Sequence, residues 1–228
     1  MKNLLSGCCL VAMSSVAVAQ EIKGIAFFHQ NWEMYCSNTG TCRAAGYQAD
    51  AAGDNPASLL LTRQAGAKQA VTAKFALALY DEQSIPANKL KNIRFYLNGK
   101  DLGQVTVDGN ESPLMGKLST SQVTALLQQA QQKSEIVFKN ASFQWQISDA
   151  GMTATLLKMD DFQKRVGTVG ALVKKGKGDE SKVLKAQPKQ VIKRINTATE
   201  PYLTLQPSNK QYPSIYQRLM AAQPTPKE

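Results

Sequence analysis

Residues 93–107, IRFYLNGKDLGQVTV, decide the fold class of this chain. Two runs rich in β-branched and aromatic residues flank the segment Asn98-Gly99-Lys100-Asp101. An Asn-Gly step between two such runs is the strongest short-range signal for a β-hairpin. Because a hairpin joins neighbouring strands that run in opposite directions, the sequence predicts an antiparallel sheet here.

Further strands are predicted on both sides of this hairpin. Residues 71–80, VTAKFALALY, place Val71, Ala73, Phe75, Leu77 and Leu79 on one face with a period of two. Shorter apolar or β-rich runs, bounded by turn-forming residues, predict the remaining strands. These predicted strands are 32–36, 42–49, 58–63, 136–138 and 143–147.

Two helices interrupt the strands. Ser119 followed by Gln122 is a capping-box start, and the apolar residues after it repeat on one helical face. A second helix is predicted to begin near Ser148 and to end at Gly167, with apolar residues at helical spacing up to Val166. The predicted fold class is α+β: mainly antiparallel β-sheet packed by one or two helices.

The N-terminal residues have the features of a secretory signal peptide. Lys2 precedes an apolar run, and Ala17-Val18-Ala19 is a small-x-small cleavage pattern, which predicts a signal peptide over 1–19, cleavage before Gln20 and a periplasmic location. Leu5-Ser6-Gly7-Cys8 matches a lipobox, but almost no apolar run precedes Cys8, which disfavours lipidation. No later run reaches the ~20 apolar residues of a membrane-spanning helix, so no transmembrane segment is predicted.

Charge divides the rest of the chain near residue 172. Residues 20–171 contain 15 Lys and Arg against 13 Asp and Glu, whereas residues 172–228 contain 11 against 4. The second part is also rich in proline and has little apolar periodicity. The sequence therefore predicts an α+β domain over 20–176 and a basic linker or disordered tail over 177–228. The charge of this tail is either solvated or attracted to an anionic envelope surface.

After the signal peptide, the only cysteines are Cys36 and Cys42, in CSNTGTC. In an oxidising compartment so close a pair favours a structural disulfide, and Asn38, Thr39 and Gly40 favour the turn it needs. Redox activity is the less favoured alternative, because such pairs usually have the Cys-x-x-Cys spacing. A metal site is less favoured still, because the chain has one histidine. The sequence predicts no metal and no cofactor.

No catalytic constellation is evident in the sequence. His29 is the only histidine, so a Ser-His-Asp triad would have to use it, and its aromatic neighbours favour packing instead. Asp160 and Asp161 lie beside Lys158 on the second helix, which favours a salt-bridged face over an acid–base pair. The tyrosines of the tail are not interleaved with a basic groove, which argues against nucleic-acid binding. We therefore predict no catalytic residue.

Three separated motifs resemble a known family. WEMYCSNTGTCRAAGY, SLLLTRQAG and LLKMDDFQKRVGTVGALVKKG occur in this order and are similar to segments of secreted bacterial proteins of domain-of-unknown-function family 1176. The resemblance spans most of residues 30–176. The residues that carry it are Trp32, Cys36, Asn38, Thr39, Cys42, Gly46, Leu61, Thr62, Arg63, Gly66, Met159, Asp160, Gln163, Arg165, Gly167, Thr168, Ala171, Lys175 and Gly176.

The resemblance implies an exported protein with paired cysteines and no settled activity, so it supplies no catalytic residue. It also implies longer relatives with further cysteines in a second half, and we expect this chain to be truncated relative to them. Four residues within the motifs form a candidate site: Arg63, Asp160, Gln163 and Arg165. The favoured interpretation is a structural ion pair between Arg63 and a carboxylate such as Asp160, and the alternative is a basic pocket for an anionic ligand.

These observations predict a non-enzymatic binding or interaction module of the cell envelope. Its partner would be an envelope protein or an anionic envelope component, contacted through a sheet face. An uncharacterised hydrolase is one alternative, and it would need a pocket with converging polar groups. An inhibitor of wall-degrading enzymes is the other, and it would present the turn between Cys36 and Cys42 as a protruding loop.

Overall fold

The computed structural model describes residues 22–48, 55–80 and 87–186. The predicted signal peptide lies outside these ranges, as does the predicted tail from residue 187 onward. The described strands are β1 Ile25–His29, β2 Trp32–Cys36, β3 Cys42–Tyr47, β4 Ala57–Arg63, β5 Val71–Leu77, β6 Arg94–Leu97, β7 Lys100–Gln104, β8 Thr106–Asp108, β9 Leu114–Lys117, β10 Ile136–Lys139 and β11 Gln144–Ile147. The α-helices are α1 Thr120–Gln128 and α2 Met152–Phe162, and short 3-10 turns cover Ala87–Leu90 and Glu180–Lys182.

The strands form two antiparallel sheets. A seven-stranded sheet has the order β1-β2-β3-β4-β5-β9-β8, and a four-stranded sheet has the order β11-β10-β6-β7. All of the paired strands run antiparallel. With the two helices, this architecture confirms the predicted α+β class.

The hairpin predicted from residues 93–107 is confirmed in its first half. Asn98 and Gly99 both have positive φ, 52° and 75°, which is the backbone of the tight turn that matches the twist of the flanking strands. The second half differs from the prediction, because the run over 100–107 is two strands. β7 ends at Gln104, the buried Val105 donates its N–H to Ile93 O at 3.0 Å, and β8 continues in the other sheet. This segment therefore passes from one sheet to the other.

The two sheets share one apolar core. The ring of Phe138 on β10 lies 4.8 Å from that of Phe75 on β5 and 5.1 Å from that of Phe95 on β6, centroid to centroid. Trp145 on β11 donates its indole N–H to Ala78 O at 2.6 Å. The core faces of the sheets therefore pack against each other, as in other two-layer β structures.

The helices pack on the core face of the seven-stranded sheet. The capping box of α1 is confirmed: Ser119 Oγ accepts from Gln122 N, and the Gln122 side chain accepts from Ser119 N. α2 contacts β1, β2 and β3. Its predicted extent is wrong, because it begins at Met152 and ends at Phe162. Lys164 has a positive φ of 56°, and this left-handed residue stops the helix before Val166.

Residues 177–186, the first part of the predicted tail, lie against the domain. Gly178 N donates to Gly167 O at 2.8 Å, and Leu184 N donates to Gln163 O at 3.1 Å. Val183 is buried. The division of the chain at residue 176 stays a prediction. Neither described helix has the length and apolar character that crossing a bilayer requires.

Candidate functional site

The four candidate residues lie together beneath the seven-stranded sheet, and we call them the buried ionic cluster. Arg63 is the last residue of β4, on the same face as the buried Leu59 and Leu61, so its side chain points toward α2. Its Nη2 donates to Asp160 Oδ1 at 2.7 Å, and its Nε donates to Gln163 Oε1 at 2.6 Å. The two charged side chains are 1% and 0% exposed. The cluster thus fastens the end of a central strand to the end of α2.

Both carboxylate oxygens of Asp160 are hydrogen-bonded. While Oδ1 binds Arg63, Oδ2 accepts from the backbone N–H groups of Leu172 at 2.7 Å and Val173 at 3.0 Å. A buried carboxylate is stable only when a countercharge and hydrogen bonds replace its water. Asp160 therefore fixes two things at once, the guanidinium of Arg63 and the backbone that follows α2.

Gln163 and Arg165 connect the cluster to the two turns that contain Gly40 and Gly66. Gln163 Nε2 donates to Gly40 O at 2.8 Å and to Arg63 O at 3.1 Å. Arg165 Nη2 donates to Gly66 O, and Nη1 lies 3.8 Å from Glu180 Oε1. Arg165 Nε is buried without a hydrogen-bond partner.

The charges and burial of the cluster favour a structural ion pair over a ligand-binding pocket. Burial lowers the pKa of the Arg63 guanidinium, Asp160 raises it, and the nearby Arg165 lowers it. Since Arg63 and Arg165 are each 1% exposed, a solute cannot reach either guanidinium without displacing protein. The arrangement holds sheet, helix and loop in register, which is the best-attested use of such pairs.

The pair Cys36 and Cys42 forms the predicted disulfide, and we call residues 36–42 the stapled turn. Ser37 N donates to Thr41 O at 2.8 Å and Gly40 N donates to Ser37 O at 2.9 Å. Gly40 has φ 82°, and a Cβ there would lie 2.7 Å from Ala65 Cβ. Asn38 is the one exposed residue of the turn. The stapled turn is therefore packed against the domain and does not protrude as a loop.

The other polar residues considered from sequence lie apart from the cluster. His29 is exposed at the end of β1, and its ring centroid lies 6.3 Å from that of Phe27. Asp161 forms an exposed ion pair with Lys158 at 2.8 Å. In the described part of the chain, no three His, Cys, Asp or Glu side chains are grouped so that they could hold a metal.

A row of side chains crosses the face of the seven-stranded sheet that points away from the core, and we call this the outer sheet face. The strand register aligns Phe28, Glu33, Ala45, Leu60, Lys74 and Lys117 from β1 to β9. Both helices and the second sheet pack on the opposite face, where Trp32, Met34, Phe75 and Leu77 point. The outer sheet face is thus a second candidate binding surface, apart from the buried ionic cluster.

Two lysines stand directly opposite each other on this face. Lys74 of β5 pairs in register with Lys117 of β9, and both are exposed. Directly paired residues have Cβ atoms about 5 Å apart, and like charges in that position are destabilising. Their other cross-strand neighbours are uncharged, Leu60 beside Lys74 and Thr106 beside Lys117. The arrangement concentrates positive charge without a directly paired carboxylate.

At the other end of the row lies a buried carboxylate. Glu33 is 6% exposed and accepts a hydrogen bond from the Tyr47 hydroxyl. Burial raises the pKa of its carboxyl group, and the hydrogen bond from Tyr47 opposes this in part. The described ion pairs do not include Glu33. A carboxylate this buried without a cation costs stability unless something else binds it.

Comparison with known proteins decides the family. A family model described as "Protein of unknown function (DUF1176)" matches residues 26–225. The chain belongs to this family. No curated protein and no solved structure matches it. The DUF1176 description names no activity, so function has to be argued from the geometry of this chain. The matched range contains the buried ionic cluster, the stapled turn and the outer sheet face.

Sequence reasoning missed the outer-face residues of this DUF1176 chain. Glu33 lies between the core residues Trp32 and Met34, and alternation alone places it on a solvated face. Its neighbours in β1 and β3 follow from the register, which alternation does not supply. The pairing of Lys74 with Lys117 joins strands that are separated by a helical turn and three other strands, so no local sequence signal identifies it.

The raised pKa of Glu33 predicts how stability changes with pH. The folded DUF1176 chain holds the Glu33 proton more tightly than the unfolded chain, so it gains stability at low pH. This gain is lost as pH rises from the ordinary Glu value of about 4.3 through the raised value. Glu33→Gln cannot titrate, and we expect its free energy of unfolding to increase relative to wild type across that window.

The measurement is urea unfolding of both proteins from about pH 4 to about pH 8. Tyr35, Arg43 and Tyr47 share the outer sheet face beside Glu33 and are present in both proteins, so the difference between the two curves reports the substitution at Glu33 and its bond with Tyr47. Stability curves that run parallel over the whole range would show that Glu33 has an ordinary pKa.

Proposed function

We propose that this chain is an exported, non-enzymatic module of the cell envelope that binds an anionic envelope component, such as a phosphorylated lipid, through the outer sheet face. Its mature form would begin at Gln20 and act in the periplasm. The observation that carries the proposal is the paired placement of Lys74 and Lys117. Two lysines paired directly across strands carry like charges that repel each other, and an anionic group bound between them would reduce that repulsion.

Other features of the chain support the same proposal. The disulfide suits an oxidising compartment outside the cytoplasm. In the buried ionic cluster, Arg63 pairs with Asp160, and Arg165 lies 3.8 Å from Glu180 Oε1. Both guanidinium groups are enclosed, which leaves the exposed lysines of the sheet as the better anion site. The stapled turn is packed against the domain, which gives no support to an inhibitory loop. The exposed His29 ring has no hydrogen-bond partner in the described residues, so the structure gives no support to a hydrolase that would use it as a base.

Binding to phosphatidylglycerol vesicles tests the proposal. A basic side chain at an anionic membrane surface contributes about 1 kcal/mol, so the Lys74→Gln/Lys117→Gln variant should bind about thirtyfold more weakly. Vesicle sedimentation with mature protein measures this, with phosphatidylcholine vesicles as the uncharged reference.

The matched control is Lys100→Gln/Lys133→Gln. It removes the same net charge from two exposed lysines off the outer sheet face, and we expect it to bind like wild type. Equal weakening by both double variants would mean that the vesicles sense only net charge. Absence of wild-type binding to phosphatidylglycerol would also reject the proposal.

A further inference from the structure

The opposite end of the outer sheet face carries chemistry that an anion site does not use. Glu33 is nine-tenths buried, yet Tyr47 is its one hydrogen-bond partner among the described residues. The hydroxyl binds Oε1. Oε2 has no hydrogen-bond partner among the described residues. The fully buried side-chain atoms without a partner are Ser58 Oγ, Thr155 Oγ1 and Arg165 Nε, and Oε2 is not among them, so it keeps some contact with solvent. One oxygen of Glu33 is therefore free to accept a hydrogen bond from outside.

Two aromatic side chains neighbour Glu33 on the outer sheet face, Phe28 on β1 and Tyr47 on β3. Phe28 is the direct cross-strand neighbour of Glu33 and is 49% exposed. The Tyr47 hydroxyl reaches Glu33 from β3, whereas the Tyr35 hydroxyl extends toward Gly24. Directly paired side chains have Cβ atoms about 5 Å apart, so the Phe28 ring and the Glu33 side chain are neighbours on this face. A carboxylate next to an exposed aromatic ring is an environment that suits an organic cation.

Among the described residues, the ion pairs place no cation of the protein at Glu33. Arg43 lies diagonally from Glu33 on the same face and has interactions of its own. A metal ion is also a poor match, because the described residues bring no group of three ligands together and metal sites use several protein ligands. A singly charged organic cation that makes one strong hydrogen bond fits the site better.

We propose that Glu33 anchors a binding site for a lysine-like alkylammonium group. The ammonium donates to Glu33 Oε2, and the alkyl stem packs on the exposed ring of Phe28. The Tyr47 hydroxyl holds the carboxylate in place through Oε1. The unpaired charge that makes Glu33 costly in the free protein becomes paired when the ligand binds. This site is separate from the lysine pair and does not rest on the proposed anion binding.

Butylammonium chloride is a suitable probe, because it has the ammonium and the stem and little else. We would titrate it into isotopically labelled mature protein and follow the amide resonances by NMR, with sodium chloride and 1-butanol as matched titrations. Saturable shifts are expected at Phe28, Glu33 and Tyr47 with butylammonium only. Shifts of the same size with 1-butanol would reduce the site to an apolar patch and overturn the proposal.

Variants assign the interaction to individual groups. Glu33→Gln should weaken butylammonium binding at least tenfold, since it keeps the shape and loses the charge. Phe28→Ala should weaken it about two- to fivefold, the range of a partly exposed cation–π contact. Because Phe28 is half exposed, this variant should fold even if Glu33→Gln does not. Glu111→Gln removes an exposed carboxylate elsewhere and should bind like wild type. Unchanged binding in both Glu33→Gln and Phe28→Ala would refute the site.

Discussion

Asp160→Asn is expected to lower the free energy of unfolding by about 3–5 kcal/mol, the range for removing one partner of a buried ion pair. The substitution keeps the shape of the side chain and removes its charge, so the Arg63 guanidinium stays buried without a countercharge. The amide also cannot replace both oxygens. Oδ1 accepts from Arg63 and Oδ2 accepts from Leu172 N and Val173 N, whereas asparagine has one acceptor and would turn an NH2 group toward one of these donors.

The neighbouring residue supplies the control. Asp161 is on the same helix, and its ion pair with Lys158 is exposed, with side-chain exposures of 62% and 41%. Exposed pairs of this kind contribute about 0.2–1 kcal/mol, so Asp161→Asn should change stability little. Urea unfolding of both variants with a common m-value provides the comparison. Similar losses for the two would mean that the buried ionic cluster does not hold the fold together.

The position of Arg63 could be foreseen in part from the sequence. In the run ASLLLTR, residues 59, 61 and 63 share one face, so the two leucines that enter the core carry Arg63 with them. On α2, Asp160 follows Leu156 by four residues and shares its buried face. A basic residue and an acidic residue at core positions of two packed elements are expected to find each other.

The rest of the buried ionic cluster has no sequence signal of this kind. Asp160 Oδ2 and Arg165 are held mainly by backbone groups, at Leu172, Val173 and Gly66, and a backbone N–H or carbonyl exists at every position. The path of the chain after α2 depends on the left-handed residue Lys164. Lysine rarely adopts this conformation, and the apolar pattern through Val166 therefore predicted a longer helix than the one that forms.

Register is the other quantity that periodicity does not supply. Alternation correctly assigns Glu33 and Lys74 to the face away from the core, yet one is buried and the other exposed. Their neighbours across the strands differ as well, Phe28 and the Tyr47 hydroxyl for Glu33 and Lys117 for Lys74. Both functional proposals rest on these cross-strand pairs, which is why neither could be stated from the sequence.

The disulfide carries the second large expected effect. Cys36→Ala/Cys42→Ala should lower the free energy of unfolding by about 2–2.5 kcal/mol from chain entropy alone, because the bond closes a loop of seven residues in the unfolded chain. Both cysteines are fully buried, so loss of the sulfur atoms adds a packing cost. Alanine is preferred to serine here, since serine would place a hydroxyl in the apolar core.

Two comparisons separate the bond from its surroundings. Wild-type protein unfolded in the presence of a reductant should lose nearly as much stability as the double variant, whereas Asn38→Ala, which alters the exposed tip of the stapled turn, should lose little. The loss is expected to reach the buried ionic cluster as well. The stapled turn positions Gly40 O, which accepts a hydrogen bond from Gln163 Nε2. If the turn loosens, the buried side-chain amide of Gln163 loses this partner. A double variant as stable as wild type would show that hydrogen bonds and packing fix the turn without the bond.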